Sequence, residues 1–312
     1  MTQVSLTVIS QTEKGLDSKV LADVEAFLDE IKAEVKEQRL LSKDGRVVDY
    51  LVVLSGEYTM DKLSGLKGEF YAKTEEYDVD VALQVAEGRQ ERGLFVFDMD
   101  STLIQQEVIE MIAAYADVEP EVERITTAAM KGEIDFTESL RQRVGLLKGI
   151  RGDVFEQLKP KIRFTSGAHE LTRALRKKGI KLAVLSGGFI PLAEWVKGEL
   201  GLDYAYANQL EVDPETNTLT GKTTGTIVNS TVKAELLKEI ATKEGVALKN
   251  VVAVGDGSND LAMMATAGYG VAFNAKPVVQ KQAPARINTG SLKDILYILG
   301  YTDEEQQQLV QP

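Results

Sequence analysis

The sequence contains no cysteine, which excludes disulfides and thiol chemistry. It has a single histidine, His169, which argues against a multi-histidine metal site or a Ser-His-Asp triad. That residue lies in Gly167-Ala168-His169-Glu170, at an expected helix start, and reads as a surface residue. Basic residues are in deficit: 36 Lys and Arg against 48 Asp and Glu give a net charge of −12 and a pI of about 4.8. That balance disfavours nucleic acid or an anionic membrane as partner, and an anionic substrate would need a locally positive pocket and a metal. No apolar run is long enough to span a bilayer; the stretch from Ile180 to Ala193 is broken by Lys181 and a Ser-Gly-Gly turn. Met1-Thr2-Gln3-Val4-Ser5 has no positive n-region and leads into no long apolar h-region, so a cytoplasmic protein is expected.

What is present is a chain of 312 residues, 44% hydrophobic, enough for two or three domains and a sizeable core. Its centre is Leu94 to Thr102, Leu-Phe-Val-Phe-Asp-Met-Asp-Ser-Thr. The apolar run Leu94 to Phe97 predicts a strand buried on both faces, and it ends at Asp98, with Asp100 two positions on. Ligands of open α/β sheets bind beyond the carboxyl ends of the strands. Two acids placed there can hold a divalent cation and leave one carboxylate oxygen free to attack. A lone Asp-x-Asp is most often a solvated loop. Here Ser186, Lys233, Asp256 and Asn259 follow, each near the end of a strand-like run or at a helix start.

Along the chain, Val4, Leu6 and Val8 alternate with Ser5 and Thr7, predicting a half-buried strand. A helix with Leu21, Val24, Phe27, Leu28 and Ile31, strands near 36–42 and 46–54, a helix near 59–72 and a strand from Val79 to Val85 complete a βαββαβ order, the split βαβ sandwich. This unit, residues 1–87, carries no catalytic constellation and resembles an ACT-like (ferredoxin-like α+β) regulatory or dimerising module. Ala86 to Gly93 reads as a polar linker. Residues 88–312 then form the second domain. Its core, 93–104 and 166–312, alternates apolar strands and helices, the pattern of an α/β doubly wound parallel sheet. Its helical cap, about 105–165, follows the Asp-x-Asp loop directly and would exclude water and choose substrates. A hairpin is expected around Asp213 to Asn217, and Thr302 to Pro312 is expected to fray.

Four motifs, Asp98-Met99-Asp100-Ser101-Thr102, Ser186-Gly187-Gly188-Phe189, Lys233 and Gly255-Asp256-Gly257-Ser258-Asn259-Asp260, resemble the haloacid dehalogenase-like hydrolases over roughly two-thirds of the chain. Within them, Glu107 and Phe136-Thr137-Glu138-Ser139-Leu140-Arg141-Gln142-Arg143-Val144 resemble the cap of the phosphoserine phosphatases, and the N-terminal unit with Asp294 to Gly300 resembles a fungal-type member. The resemblance implies Asp98 as nucleophile, forming an aspartyl-phosphate, and Asp100 as acid and then base. It implies Mg²⁺ held by the Asp98 carboxylate, the Asp100 main-chain oxygen and Asp256. Ser186, Gly187 and Asn259 would bind phosphate, Lys233 would offset its charge, and Asp260 would orient Lys233 or the metal's waters. O-phospho-L-serine would be read by Glu107 at its ammonium and Arg143 at its carboxylate, with Met130 and Phe136 excluding water. Arg141 and Arg143 are not separable by physics alone. The implied reaction is the last step of L-serine biosynthesis. Its rivals are hydrolysis or transfer from another small phosphomonoester, and a non-catalytic amino-acid sensor in which the core is vestigial.

Overall fold

The computed structural model describes residues 1–58, 60–74, 76–130 and 133–311; the side chains at 60, 61 and 130 lie outside the described set. The alternation at the N-terminus produces strand β1 (Thr2–Ser10), but Val4 to Ser10 are buried on both faces rather than one. Val4, Leu6 and Val8 pack with helices α1 (Ser18–Glu30) and α2 (Met60–Thr74). The hydroxyl face is covered too, because Ser5 and Thr7 both donate to Asp49 Oδ1, at 3.2 and 2.7 Å. With β2 (Glu34–Leu40), β3 (Val47–Leu54) and β4 (Val79–Val85), the antiparallel order is β2-β3-β1-β4, the connectivity expected of a split βαβ unit. The stretch after β4 is not simply solvated. Arg89 is buried, and its guanidinium grips Asp49 in a two-pronged pair at 2.9 and 2.7 Å.

Strand β5 (Leu94–Phe97) is fully buried, as its apolar run requires. The insertion after it holds α3 (Val108–Ala113), α4 (Glu119–Met130), α5 (Phe136–Leu146) and α6 (Val154–Leu158). Then come α7 (Ala168–Lys177), β6 (Lys181–Phe189), α8 (Ile190–Leu200), the hairpin β7 (Tyr204–Asp213) and β8 (Thr218–Thr224), and α9 (Ser230–Lys243). The chain closes with β9 (Val251–Gly255), α10 (Leu261–Thr266), β10 (Tyr269–Phe273), α11 (Pro277–Gln282), β11 (Ala285–Ile287), α12 (Ile295–Ile298) and α13 (Asp303–Val310).

The core strands run β11-β10-β9-β5-β6-β7 in parallel, so β5 is flanked by β9 and β6 and its carboxyl end is the topological switch point. Two features depart from a purely parallel sheet standing apart from the N-terminal unit. Strand β8 is antiparallel to β7, and β4 pairs with β11 through Ala82 and Ala285, so among the described residues eleven strands form one mixed sheet. The β4–β11 contact covers an edge that would otherwise expose unpaired backbone groups. Strand β6 also outruns its apolar stretch: after a register shift, Phe189 pairs with Asn208 of β7, which carries the strand through the glycine turn.

The β7–β8 hairpin holds the cap in place. Gly149 and Gly152 donate to the Leu219 and Asn217 carbonyls, and Leu219 donates back to Ile150. The expected fraying does not occur over Thr302 to Val310, and Pro312 lies outside the described residues. Thr302 and Glu305 form a reciprocal capping box that starts α13, and Arg173 and Lys177 of α7 donate to the Val310 and Gln308 carbonyls. His169 is exposed, its ring edge-on to Phe164. Among the described residues no helix is long and apolar enough to cross a membrane.

Candidate active site

Phe97 ends β5, and the next amide, Asp98 N–H, donates to the Val254 carbonyl of β9 at 2.9 Å, which fixes the exit of the chain. Asp98 is 5% exposed. Its Oδ1 accepts from the Met99 amide at 2.7 Å and lies 2.8 Å from Lys233 Nζ, while its Oδ2 faces Asn259 Nδ2 at 3.4 Å. The chain then turns sharply, with Asp100 extended and Ser101 at φ 56°, a left-handed conformation uncommon outside glycine. The Asp100 side chain lines the same cavity as Asp98. Its Oδ2 accepts from the Val108 amide at 3.1 Å, and its Oδ1 is buried without a hydrogen-bond partner among the described residues. Burial, with the charges of Glu107 and Asp98 added, raises the Asp100 carboxyl well above the ordinary range. It is therefore suited to carry a proton.

Lys233 sits in the first turn of α9, a helix started by the Asn229 side chain, which accepts from the Val232 amide. It is wholly buried, and its Nζ lies 2.8 Å from both Asp98 Oδ1 and Asp260 Oδ1. Burial alone would lower its pKa, but Asp260 and Asp98 outweigh burial and raise it, so it stays an ammonium. Asp260 is held in turn by the Gly257 amide at 3.1 Å. Asp98, Asp256 and Asp260 each offer an oxygen within 4.8 Å of the others. Burial, with Asp98, Asp260 and Glu107 adding, pushes Asp256 up to about 8. Three converging carboxylates with one ammonium between two of them leave excess negative charge, and oxygen donors at that spacing fit a hard divalent cation.

Ser186 is buried, and its Oγ accepts from the Gly188 amide at 2.8 Å. A Cβ on Gly187 would stand 2.9 Å from the tip of the Phe136 ring, so the cap rests directly on this turn and a side chain there would have to displace that ring. The cavity between cap and core is about 380 Å³ and is lined by Asp98, Asp100, Glu107, Arg143, Ser186 and Asp256, among others. Ser101 donates to Glu107 at 2.6 Å. Arg143 is half-buried on the cavity wall, its Nε bonded to the Ser139 carbonyl at 3.3 Å. Arg141 instead points to solvent and pairs with Glu138 at 2.5 Å. The fold therefore separates two arginines that only the family resemblance, and not their local physics, distinguishes in the sequence. Met130 ends α4, but its side chain lies outside the described residues.

Four contributors were not singled out from the sequence. Thr102 donates to Asp256 Oδ1 at 3.2 Å, and its place inside the first motif was the available signal. Asn208 bridges the Gly187 carbonyl and the Val228 amide, both at 2.8 Å, and nothing local distinguishes it from any strand asparagine. Ser139 and Lys276 also line the cavity, and the Ser139 hydroxyl is buried without a hydrogen-bond partner among the described residues.

A family model described as haloacid dehalogenase-like hydrolase matches residues 93–268. Over 230 residues the chain is 56% identical to the phosphoserine phosphatase of Saccharomyces cerevisiae, covering 73% of this chain and 74% of that protein. The crystal structure of a probable phosphoserine phosphatase from Vibrio cholerae, in unliganded form, aligns with a TM-score of 0.71 at 34% identity, covering 97% of this chain and 88% of that one. A structure of a phospho-aspartyl intermediate analogue of phosphoserine phosphatase aligns at 43% identity with a TM-score of 0.62, covering 66% of this chain and 98% of that one.

Proposed function

This chain belongs to the haloacid dehalogenase-like hydrolases, and from that premise we propose that it hydrolyses O-phospho-L-serine to L-serine and phosphate, the last step of L-serine biosynthesis, through an aspartyl-phosphate on Asp98. One observation carries the reading. A single cavity holds Asp98 bonded to a buried ammonium, an Asp100 oxygen without a hydrogen-bond partner among the described residues, and Glu107 and Arg143 on the cap side. The first two suit phosphoryl transfer, and the last two suit an ammonium and a carboxylate on one small substrate.

In the first step an Asp98 oxygen attacks phosphorus, and the serine oxygen leaves with the proton carried by Asp100. In the second, Asp100 takes a proton from water, the hydroxide attacks phosphorus, and the Asp98–phosphate bond breaks to release phosphate. Lys233 stabilises Asp98 in both states, and Asp260 holds Lys233 in line. Ser186, the Gly187 amide and Asn259 receive phosphate oxygens. Glu107 pairs with the substrate ammonium and Arg143 with its carboxylate, while Phe136 keeps water out. The Asp98 and Asp256 carboxylates and the Asp100 main-chain oxygen would hold a divalent cation, Mg²⁺ in this reading. When bound, it neutralises charge on the phosphoryl oxygens.

In the same reading residues 1–87 form an ACT-like, ferredoxin-like domain that binds an amino acid or a second copy of the chain. Residues 88–312 are the catalytic domain, with core 93–104 and 166–312 and the cap at about 105–165. The protein works in the cytoplasm.

The test is phosphate release from O-phospho-L-serine with and without Mg²⁺. Wild type should release phosphate only with the metal. Asp98→Asn should release none, and Asp100→Asn should lose roughly 10²- to 10⁴-fold in kcat. Release from other phosphomonoesters but not from phosphoserine would keep the mechanism and discard the Glu107 and Arg143 roles. No release from any of them would discard the reading.

A further inference from the structure

The loop after β10 carries Lys276 to the rim of the cavity and donates the Lys276 amide to the Asp256 carbonyl at 3.2 Å. It is held by a chain of hydrogen bonds that begins in the N-terminal unit. Asp80 lies on β4 and is wholly buried. Its two oxygens accept from Asn288, one from the backbone amide at 2.5 Å and one from the side-chain amide at 2.9 Å. The Asn288 side chain pairs reciprocally with Gln280, at 2.9 and 3.1 Å. Gln280 Nε2 also donates to the Ala275 carbonyl at 2.6 Å, one residue before Lys276. At the base of the turn Asn274 adopts φ 43°, with its amide on the Ile287 carbonyl and its side chain on the Thr289 carbonyl.

We propose that Asp80 is a positioning residue for the reaction: through Asn288 and Gln280 it sets the turn at 274–276, and so places Lys276 to attract and hold the anionic substrate at the cavity mouth. The inference rests on the phosphatase reading. The physical case lies in the bonding. A buried carboxylate is costly unless its oxygens are satisfied, and Asp80 is satisfied also by Gln11 Nε2 at 2.9 Å, with Arg286 Nε at 3.4 Å. A carboxamide gripped at both backbone and side chain has one orientation, and the Gln280 pair transmits it to a specific carbonyl. A cation at the mouth of a cavity in a chain of net charge −12 acts on encounter and binding more than on the bond-breaking step. The competing account makes Asp80 only a pin between β4 and β11.

The experiment measures kcat and KM for O-phospho-L-serine at saturating Mg²⁺, at low and high ionic strength, together with melting temperature. The proteins are wild type, Asp80→Asn, Gln280→Ala, Lys276→Met and the Asp80→Asn/Lys276→Met pair. An inactive wild type overturns the phosphatase reading and this inference with it. With wild type active, Lys276→Met should raise KM about five- to tenfold at low salt, and less at high salt, with kcat within about threefold. Asp80→Asn should do the same, and the pair should be no worse than Lys276→Met alone. Gln280→Ala breaks the chain away from the sheet and should reproduce the KM shift even if Asp80→Asn folds poorly. A lower melting temperature with KM unchanged in both Asp80→Asn and Gln280→Ala would overturn the proposal. So would KM effects of Asp80→Asn and Lys276→Met that multiply.

Discussion

Lys233 has no exposed surface, yet it keeps its charge because Asp98 and Asp260 both lie 2.8 Å from its Nζ. Removing it leaves two carboxylates buried without their cation. Lys233→Met should therefore destabilise the fold by about 3–5 kcal/mol as well as abolish turnover, and a denaturant titration beside the activity assay reads both. The two cap arginines make the opposite case. Arg143 stands on the cavity wall and Arg141 in solvent, although they are two residues apart on one helix. If Arg143 holds the substrate carboxylate as proposed, Arg143→Ala should raise KM for phosphoserine about 10- to 100-fold. Arg141→Ala should leave KM within about twofold, since an exposed ion pair contributes little. Equal effects from the two would remove Arg143 from the substrate site.

Helix α13 shows what an element gains from its first turn. Thr302 accepts from the Glu305 amide and Glu305 accepts from the Thr302 amide, so two otherwise unpaired donors are satisfied. Tyr297 also donates to Asp303 at 2.6 Å, tying the helix to α12. Thr302→Ala should cost about 1 kcal/mol and lower the melting temperature by about 2 °C, with kcat and KM unchanged, because α13 packs on α7 away from the cavity. The hairpin β7–β8 behaves differently. Its far end holds the cap loop at Gly149 to Gly152, and its near end holds the glycine turn through Asn208, so one element fixes both walls of the site.

The molecule is joined across its eleven-stranded sheet, as seen among the described residues, by polar contacts as well as by strand pairing. Arg46 grips Asp294 at 3.0 and 2.9 Å, and Arg89 grips Asp49. Burial works to raise the Asp49 carboxyl, but Arg89, Thr7 and Arg39 outweigh it and hold the carboxyl below its ordinary range. A depressed carboxylate contributes stability that is fully present above the unfolded value of about 3.9 and is lost as pH falls through the lower folded value. Wild type should thus melt above Asp49→Asn at neutral pH, and the gap should close below about pH 4. A constant gap down to pH 2 would show that the charge of Asp49 is not what stabilises the join.

The buried strand β5, the acids that follow it and the βαββαβ order are legible in the sequence, because each is local. An unbroken apolar run makes a buried strand, glycines permit close turns, and alternation with a period of two makes strands. The same local logic misread β1, whose polar face is covered by Asp49, and Thr302 to Pro312, whose capping box was overlooked. The sequence by itself determined which chemical groups the chain can bring to a site: carboxylates, one well-placed lysine, and no thiol or histidine pair. Only the tertiary structure decided which of two neighbouring arginines faces the cavity, that Asn208 and Thr102 brace it, and that β4 and β11 merge two units into one sheet. Those outcomes depend on contacts between residues far apart in the chain, where helix rotation and strand edges, rather than any local pattern, choose the partner.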